Sequence, residues 1–232
     1  MKDLQPFWDT YAKHHFWRLN DKNKVKENSR YYDAVYDGLL PADRSVKIVD
    51  LGCGGGHFIY YLLCKGYSNI QGVDIAPGLV EFVREQIHSQ IVCDDVFHYL
   101  GQHSDEFDVL TANDLIEHLP KSRIGEFLSL CQSALKPGGR LIIKTPNMDH
   151  PLAPHYRYID FTHEVGFTEQ SLYEVCAAAD LQKITIHPGS PNRLGPWRDR
   201  PVRWWYRWWG EVPPRIASAN LVAVGYKAHQ PQ

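Results

Sequence analysis

From residue 46 onward, short apolar runs alternate with segments in which apolar residues recur every three or four positions. The apolar runs predict buried strands, and the helical periodicity predicts helices between them. The predicted strands are Val46–Leu51, Asn69–Val73, Gln90–Cys93, Phe107–Ala112, Arg140–Lys144, Leu181–His187 and Ala219–Tyr226. The predicted helices are Phe58–Lys65, Pro77–His88, Ser122–Leu135 and one that follows a Thr168 cap. This alternation is typical of a doubly wound α/β fold, in which helices cover both faces of a mostly parallel sheet.

Three segments stand outside the alternation. Residues 1–45 are polar and aromatic, with a charged, helical pattern over Asp21–Gly38, so we expect an N-terminal unit ahead of a domain over 46–232. Residues 147–167 form a long polar insertion, and residues 193–210 are rich in Trp and Arg. Because insertions that follow strand ends often carry the ligand site of such sheets, residues 147–167 are expected to face a ligand.

The composition restricts the class of protein. With 232 residues, of which 44% are apolar and 22% charged, the chain is expected to fold as one globular domain. It has no apolar run of the roughly 20 residues that a bilayer span needs, and its first residues do not resemble a signal segment. Five dispersed cysteines without a C-x-x-C pair predict reduced thiols in a cytoplasmic protein. A net charge of −2 argues against a nucleic-acid binder.

A glycine-rich loop lies between the first predicted strand and helix, within Val49–Phe58. Glycines there permit a tight turn and close approach of the backbone to a ligand. The dinucleotide fingerprint G-x-G-x-x-G would require glycine at position 57, where His57 stands, and no Lys-Ser/Thr follows as in a phosphate loop. Asp50, just before the loop, suits a ligand that carries positive charge.

The loop resembles the first motif of class I S-adenosylmethionine-dependent methyltransferases, whose cofactor carries an ammonium and a sulfonium. The stretch Phe107–Pro120 resembles the fourth-strand motif of small-molecule members, and Pro137–Leu141 resembles the turn before the fifth strand. Five such motifs occur in order over residues 46–187. The resemblance implies a Rossmann-like, three-layer sheet of seven strands with an antiparallel last strand.

The same resemblance assigns cofactor contacts. Asp74, which ends the second strand, is expected to accept hydrogen bonds from the ribose hydroxyls. The acidic residue beside the adenine is either Asp94, which aligns better, or Asp95. The residues expected to bind S-adenosyl-L-methionine are Asp50, Gly52, Cys53, Gly54, Asp74, Ile75, Asp94, Asp95, Asn113 and Tyr11.

Histidines are the candidate catalytic residues, because a hydroxyl acceptor gains from losing its proton to a base near neutral pH. His118 lies in the fourth-strand motif. His163 lies in Tyr156–Thr168, which resembles a signature of methyltransferases from surface-polysaccharide gene sets, where the histidine faces the acceptor. We expect His163 to be the base, with His118 and His155 as further candidates; structural roles for these side chains stay open. No metal is predicted, because the histidines lack ligand spacing on a predicted helix.

The N-terminal unit is expected to act as a lid. Phe7–Ala12 resembles a short helix that many small-molecule methyltransferases fold over the cofactor. Tyr11 and Trp8 are therefore expected either to close the site or to staple an otherwise loose terminus.

Residues 193–210 contain five of the seven tryptophans and five arginines. A helix with arginines on one stripe and tryptophans around it suits the surface of a membrane. Packing against the sheet or against a second copy of the chain, as in a homodimer, is the alternative. The protein is expected in the cytoplasm. If residues 193–210 do contact a membrane, we expect peripheral contact with its inner face.

Together these features predict an S-adenosylmethionine-dependent methyltransferase that O-methylates a sugar or sugar-linked acceptor in cell-surface glycan biosynthesis. The first alternative is a methyltransferase for a lipid or quinone-like acceptor at the membrane. A cofactor-binding protein without catalysis is the second. An RNA methyltransferase is disfavoured by the charge balance.

Overall fold

The computed structural model of the chain describes residues 30–36, 38–190 and 196–229. Its centre is a seven-stranded sheet in the order β3-β2-β1-β4-β5-β7-β6. The strands are β1 (Ile48–Leu51), β2 (Ile70–Asp74), β3 (Ile91–Cys93), β4 (Phe107–Asn113), β5 (Leu135–Pro146), β6 (Gln182–Pro188) and β7 (Asn220–Tyr226).

Strands β1 to β5 pair in parallel, and β7 runs antiparallel between β5 and β6. In the register of the central strands, Asp50 lies opposite Gly72 on one side and Thr111 on the other. The carboxyl ends of β1, β2 and β4 therefore meet at one edge of the sheet. The predicted doubly wound fold with an antiparallel last strand is confirmed.

Seven helices with defined bounds connect and cover the strands in the described residues. They are α1 (His57–Cys64), α2 (Pro77–Gln86), α3 (Val96–Gly101), α4 (Ile124–Ala134), α5 (Ala153–Tyr158), α6 (Glu169–Ala178) and α7 (Pro196–Trp208). Two short 3₁₀ turns, Ile116–His118 and Lys121–Arg123, follow β4. The predicted Thr168 cap of α6 is confirmed, because its hydroxyl accepts a hydrogen bond from the Ser171 amide at 3.2 Å.

Each face of the sheet carries its own hydrophobic core. On one face Phe127 and Leu128 of α4 pack with Phe107 of β4, and all three are fully buried. On the other face Ile59 of α1 and Val83 of α2 are fully buried against the opposite side of the strands. Burial of one such side chain contributes roughly 1.5–3 kcal/mol. The two cores hold the strand ends that form the site in fixed positions.

A helical segment over residues 30–36 packs against α1 and against the edge of the sheet that holds the strand ends. The Tyr32 ring contacts the Phe58 ring with centroids 5.1 Å apart. The Tyr31 hydroxyl donates to the Gly189 carbonyl at 2.6 Å, and the Tyr36 hydroxyl donates to Asn113 Oδ1. The predicted lid residues Trp8 and Tyr11 lie outside the described residues, so the lid over 1–45 stays a prediction.

Two further sequence predictions concern the thiols and the membrane. All five cysteines lie in the described residues and none forms a disulfide. Among the helices of the described residues, none combines the length and the apolar character needed to cross a bilayer.

Candidate active site

A cavity of about 510 Å³ lies at the carboxyl ends of β1, β2 and β4. Its volume is in the usual range for small-molecule sites. The glycine loop and the strand ends form one side, and Tyr32 comes from the N-terminal helical segment. The opposite side includes His118, Tyr156, Ile159 and His163. The cavity therefore has a glycine-loop end and a histidine end.

Positive φ angles shape the glycine loop. Gly52 has φ +66° and Gly56 has φ +73°, a region that non-glycine residues rarely adopt. A Cβ on Gly52 would lie 2.9 Å from Leu115 Cδ1, so that leucine side chain would also have to shift. The Cys53 amide donates to the Val73 carbonyl at 3.0 Å, which ties the loop to β2. Gly52, Cys53 and Gly54 all line the cavity, as the motif predicts.

Asp50 lies buried at the end of β1 and lines the cavity. Its Oδ1 accepts hydrogen bonds from Thr111 Oγ1 at 2.7 Å and from Asn113 Nδ2 at 3.3 Å. Burial raises the pKa of Asp50 to about 7, the two hydrogen bonds oppose that shift, and the negative charge of Asp74 adds to it. A positively charged ligand would stabilise the ionised form.

Asp74 lies at the end of β2 and also faces the cavity, together with Ile75. Its Oδ2 accepts from the Gly54 amide at 2.8 Å, and its Oδ1 accepts from the Ala76 amide at 2.9 Å. Burial raises the pKa of Asp74, and the backbone hydrogen bonds partly oppose this. The two amides fix the carboxylate so that its remaining lone pairs are available to a ligand.

The neighbouring carboxylates Asp94 and Asp95 have different positions. Asp95 lines the cavity, and its side chain caps α3 by accepting from the Phe97 amide at 2.9 Å. Asp94 lies outside the described lining of the cavity, and its Oδ2 lies 2.7 Å from Nδ1 of the exposed His98. Of the two residues that the sequence left open, Asp95 is therefore the one that faces the cavity, although Asp94 aligns better with the motif; which of them contacts the adenine stays a prediction.

His118 lies at the histidine end of the cavity. Its Nδ1 is 2.8 Å from Thr162 Oγ1, which itself donates to Asp160 Oδ1 at 2.6 Å. Because the Thr162 proton is directed at Asp160, Nδ1 of His118 is the donor and the lone pair of the neutral ring is on Nε2. Burial, together with the nearby His163, lowers the pKa of His118 to about 4. The ring is therefore neutral near pH 7.

His163 lies beside His118, with ring centroids 4.7 Å apart. Its Nδ1 is 2.9 Å from the carbonyl oxygen of Tyr156. A carbonyl oxygen can only accept, so Nδ1 carries the proton and Nε2 of the neutral ring carries the lone pair. Both histidines thus have the tautomer that a base or a metal ligand at Nε2 requires. His155, the third candidate, is exposed against the Tyr156 ring and lies outside the described lining of the cavity.

Backbone hydrogen bonds bring these two histidines together from distant parts of the chain. The amides of Glu164 and Val165 donate to the Glu117 carbonyl at 2.8 and 3.1 Å. The Arg157 guanidinium donates to the carbonyls of His163 and Glu164. The segment after α5 is therefore fixed against the turn that follows β4.

Glu117 and Tyr32 are among the cavity residues for which the sequence motifs predict no role. Glu117 is buried, and its Oε2 accepts from Thr145 Oγ1 at 3.0 Å, whereas Oε1 has no hydrogen-bond partner among the described residues. Burial and the charge of Asp114 raise the pKa of Glu117 to about 8. Tyr32 reaches the cavity from a segment without a recognised motif. The Glu-His pair at the end of the fourth-strand motif is the sequence signal for Glu117.

Asp74 and Asp94, which lie at the ends of the neighbouring strands β2 and β3, give a matched test of cofactor binding. We expect Asp74→Ala to weaken S-adenosylmethionine binding by about 10- to 100-fold, since hydrogen bonds to a charged group contribute roughly 1.5–3 kcal/mol. Isothermal titration calorimetry measures the affinity. Asp94→Ala, the same change after the next strand, is expected to bind like wild type. Wild-type affinity in Asp74→Ala, or equal losses in both variants, would contradict the assignment.

The raised pKa of Asp50 predicts that cofactor affinity depends on pH. With a pKa near 7, the carboxyl is mostly protonated at pH 6.0 and mostly ionised at pH 7.5. If the ionised form binds the positive cofactor, affinity rises about eightfold between these values, in proportion to the ionised fraction. Calorimetry at both pH values checks this. Asp50→Asn keeps the size of the side chain and is expected to bind more weakly with a flatter profile; an unchanged slope would argue against Asp50 as the source.

A protein-family model described as a methyltransferase domain matches residues 24–186, which is more than half of the chain. Among curated proteins, the ubiquinone biosynthesis O-methyltransferase of Coxiella burnetii is 30% identical over 105 residues, which cover 43% of each chain. The protein of the same description from Xanthomonas axonopodis pv. citri is 31% identical over 114 residues, covering 47% of this chain and 46% of that one. The chain thus aligns with less than half of either relative.

Solved methyltransferases share the fold at lower identity. A SAM-dependent methyltransferase from Archaeoglobus fulgidus has a TM-score of 0.63 and 21% identity, over 88% of this chain and 92% of that one. Phosphoethanolamine N-methyltransferase 2 of Haemonchus contortus, in complex with S-adenosyl-L-methionine, has a TM-score of 0.64 and 14% identity, over 95% of this chain and 60% of that one. Together with the family match and the glycine-loop cavity, these findings show that the chain belongs to the S-adenosylmethionine-dependent methyltransferases with a Rossmann-like fold.

Proposed function

We propose that the protein transfers the methyl group of S-adenosylmethionine to a hydroxyl oxygen of an apolar, quinone-like acceptor. The observation that carries this proposal is the apolar surface around the histidine end of the cavity. The names of the curated relatives, which are ubiquinone biosynthesis O-methyltransferases, support it over the part of the chain that aligns.

The segment that lines the acceptor side also exposes large apolar side chains. Ile159 lines the cavity and is 60% exposed. Its neighbours Tyr158 and Phe161 are 77% and 80% exposed, and Leu152 is 55% exposed. Clusters of exposed apolar side chains mark contact with an apolar ligand, a partner or a membrane. An acceptor with a long apolar tail would cover these side chains while its head group enters the cavity.

A sugar acceptor, which the sequence favours, is the second candidate. Its support is the resemblance of Tyr156–Thr168 to the polysaccharide signature, and His163 of that signature does face the cavity. The exposed side chains of that segment are largely apolar, and sugar hydroxyls buried against them without hydrogen-bond partners would be costly. The comparisons with known proteins support the methyltransferase and not the polysaccharide subfamily. We therefore place the quinone-like acceptor first.

The reaction is an in-line displacement between the two ends of the cavity. The bond between the cofactor sulfur and its methyl carbon breaks, the new bond forms to the acceptor oxygen, and the hydroxyl proton leaves. S-adenosylhomocysteine is the second product. The cofactor supplies the activated methyl group, so the chain contributes mainly alignment and removal of the proton. In this arrangement Asp50, Asp74 and Asp95 bind the cofactor, and His118 and His163 face the acceptor hydroxyl.

Helix α7 carries a second group of exposed aromatic side chains. Trp204 and Trp208 stack with centroids 5.9 Å apart, and each is about two-thirds exposed. The Tyr206 hydroxyl donates to the Asp149 carbonyl at 2.7 Å, which fixes the helix to the insertion that lines the acceptor side. Exposed arginines lie on the same helix at positions 200, 203 and 207.

We propose that α7 rests on an anionic bilayer surface. Tryptophan is favoured at the membrane interface, and each arginine near an anionic surface contributes about 1 kcal/mol. A helix with both residue types, fixed to the insertion that carries the acceptor segment, would hold that segment near the bilayer, from which an acceptor with a lipid-like tail could enter. In this arrangement the exposed tryptophans and the apolar acceptor segment both serve contact with the membrane.

A direct comparison of acceptors tests the proposed reaction. Purified protein is incubated with methyl-labelled S-adenosylmethionine and either a short-chain prenylated catechol or a set of nucleotide sugars. Mass spectrometry is expected to find the label on the catechol oxygen, and Asp74→Ala is expected to reduce transfer. Label on a sugar and none on the catechol would overturn the apolar acceptor. Cofactor binding without transfer to either class would favour a binding protein.

Vesicle sedimentation tests the role of α7. The full chain is expected to bind vesicles that contain phosphatidylserine, to bind neutral phosphatidylcholine vesicles more weakly, and to dissociate as salt rises. Trp204→Ser with Trp208→Ser should reduce binding at least tenfold, because the two exposed rings that would enter the bilayer interface are lost.

Tyr173→Ser, which removes an exposed aromatic side chain from α6 and leaves α7 intact, is the matched control and should bind like wild type. Arg203→Gln with Arg207→Gln should reduce binding to anionic vesicles alone. Equal binding by all variants would contradict the proposal, as would a stable dimer in solution that the Trp double variant dissociates.

A further inference from the structure

We propose that Glu117, His118 and His163 form a binding site for a divalent cation of the Zn²⁺ type at the acceptor end of the cavity. Each of the three residues offers one ligand atom, and these atoms all lie within 4.8 Å of one another. All three side chains line the cavity. A small inward movement of the side chains would allow each ligand atom to lie roughly 2.0–2.2 Å from a Zn²⁺ ion at the centre of the three.

The Glu117 side chain has a buried oxygen that a cation would satisfy. The residue is 2% exposed, and its Oε1 has no hydrogen-bond partner among the described residues. Thr145 holds only the other oxygen, at 3.0 Å. The nearby Lys144 forms its ion pair with Asp114. An unsatisfied buried carboxyl oxygen is costly, and coordination of a metal is one of the few ways to compensate it.

Both histidines are fixed in the manner of metal ligands. A metal-bound imidazole commonly donates its other N–H to a carbonyl or to a hydrogen-bonded oxygen, which sets its tautomer and orientation. Nδ1 of His163 donates to the Tyr156 carbonyl at 2.9 Å. Nδ1 of His118 donates to Thr162 Oγ1 at 2.8 Å, and buried Asp160 holds that hydroxyl in turn. Nε2 is then the coordinating atom of each ring.

The protein backbone holds the three ligands together without a bound ion. Glu117 and His118 lie in the 3₁₀ turn after β4, whereas His163 is 45 positions further along. The hydrogen bonds from the amides of Glu164 and Val165 to the Glu117 carbonyl, at 2.8 and 3.1 Å, join the two segments. The sequence predicts no metal because local spacing cannot show this pairing.

The set of donors selects the class of cation. Two imidazoles and one carboxylate are typical of Zn²⁺ and related first-row cations, whereas Mg²⁺ and Ca²⁺ prefer sites made of oxygen alone. Three protein ligands leave a coordination position for a fourth group. That position faces the cavity, where an acceptor hydroxyl would approach.

The role of the cation in catalysis rests on the proposed function. A divalent cation lowers the pKa of a hydroxyl that it binds, so the proton can leave to water as the oxygen attacks the methyl carbon. The bond to the cofactor sulfur breaks in the same step. His118 and His163 would then serve as ligands, and the cation would replace the histidine base that the sequence predicts.

Titration with Co²⁺, a spectroscopic substitute for Zn²⁺, tests the site in the full-length protein after treatment with a chelator. We expect one equivalent to bind with visible absorption bands of nitrogen–oxygen coordination, and Zn²⁺ to displace it. Glu117→Gln and His163→Ala should each weaken the affinity at least tenfold. His155→Ala, in the same insertion but outside the cavity lining, is the matched control and should bind like wild type. Calorimetry with S-adenosylmethionine verifies that each variant is folded.

Binding that is unchanged in Glu117→Gln and His163→Ala, or absent in the folded wild-type protein, would overturn the site. Turnover before and after chelation tests the role of the cation separately. Loss of turnover that added Zn²⁺ restores would support the role, and full turnover after chelation would overturn it. Because the Co²⁺ titration contains no acceptor, a wrong acceptor class would leave its result unchanged.

Discussion

Buried carboxyl groups at the strand ends are the constraint on which this site depends. Asp50, Asp74 and Glu117 all line one cavity, and burial raises the pKa of each. Hydrogen bonds from hydroxyl, amide and backbone groups compensate part of the cost, but such neutral donors do not replace the lost hydration of a charge. The cavity is therefore suited to positive charge, which the sulfonium and ammonium of the cofactor supply at the glycine-loop end. A divalent cation would supply it at the acceptor end.

The fold supplies these positions through two kinds of connection. Parallel pairing of β1 with β2 and β4 places Asp50, Asp74 and Asn113 at a common edge, so cofactor contacts follow from the sheet itself. The acceptor end depends instead on a pair of backbone hydrogen bonds between the turn after β4 and the segment after α5. That segment also exposes the apolar side chains of the acceptor surface. One long insertion thus links the chemistry of the site to the surface through which an apolar acceptor would enter.

Features encoded locally were predictable from the sequence, and features that need long-range contacts were not. The strands, the glycine loop and the Thr168 cap each depend on a few consecutive residues, and they agree with the structure except at the fifth strand. That strand begins at Leu135, ahead of the predicted start at Arg140, because Leu135 pairs with Phe107 of β4. Helices α3 and α5 have six residues each, too few for their periodicity to be recognised. Local spacing could not separate Asp94 from Asp95, because their difference arises from which side chain caps α3.

Contacts between residues far apart in the sequence account for the remaining features that the sequence did not predict. Glu117 approaches His163 only because separate segments pack together, and Tyr36 reaches Asn113 from 77 positions away. No periodic pattern or motif encodes either contact. The exposure of Tyr158 and Phe161 is likewise a property of the folded surface, which the sequence alone does not show. The sugar acceptor was predicted from the resemblance of Tyr156–Thr168 to a signature, whereas the proposed quinone-like acceptor rests on these exposed apolar side chains.

The buried carboxyl groups of the cavity are expected to ionise when a positively charged ligand binds. Calorimetric measurement of the protons exchanged on binding tests this most directly. S-adenosylmethionine is titrated into the protein at pH 6.5 in buffers that differ in ionisation enthalpy. The pKa of Asp50 near 7 predicts that binding releases a substantial fraction of one proton, because the positive cofactor stabilises the ionised carboxylate. Binding with no proton release, or with net proton uptake, would contradict this account of the site.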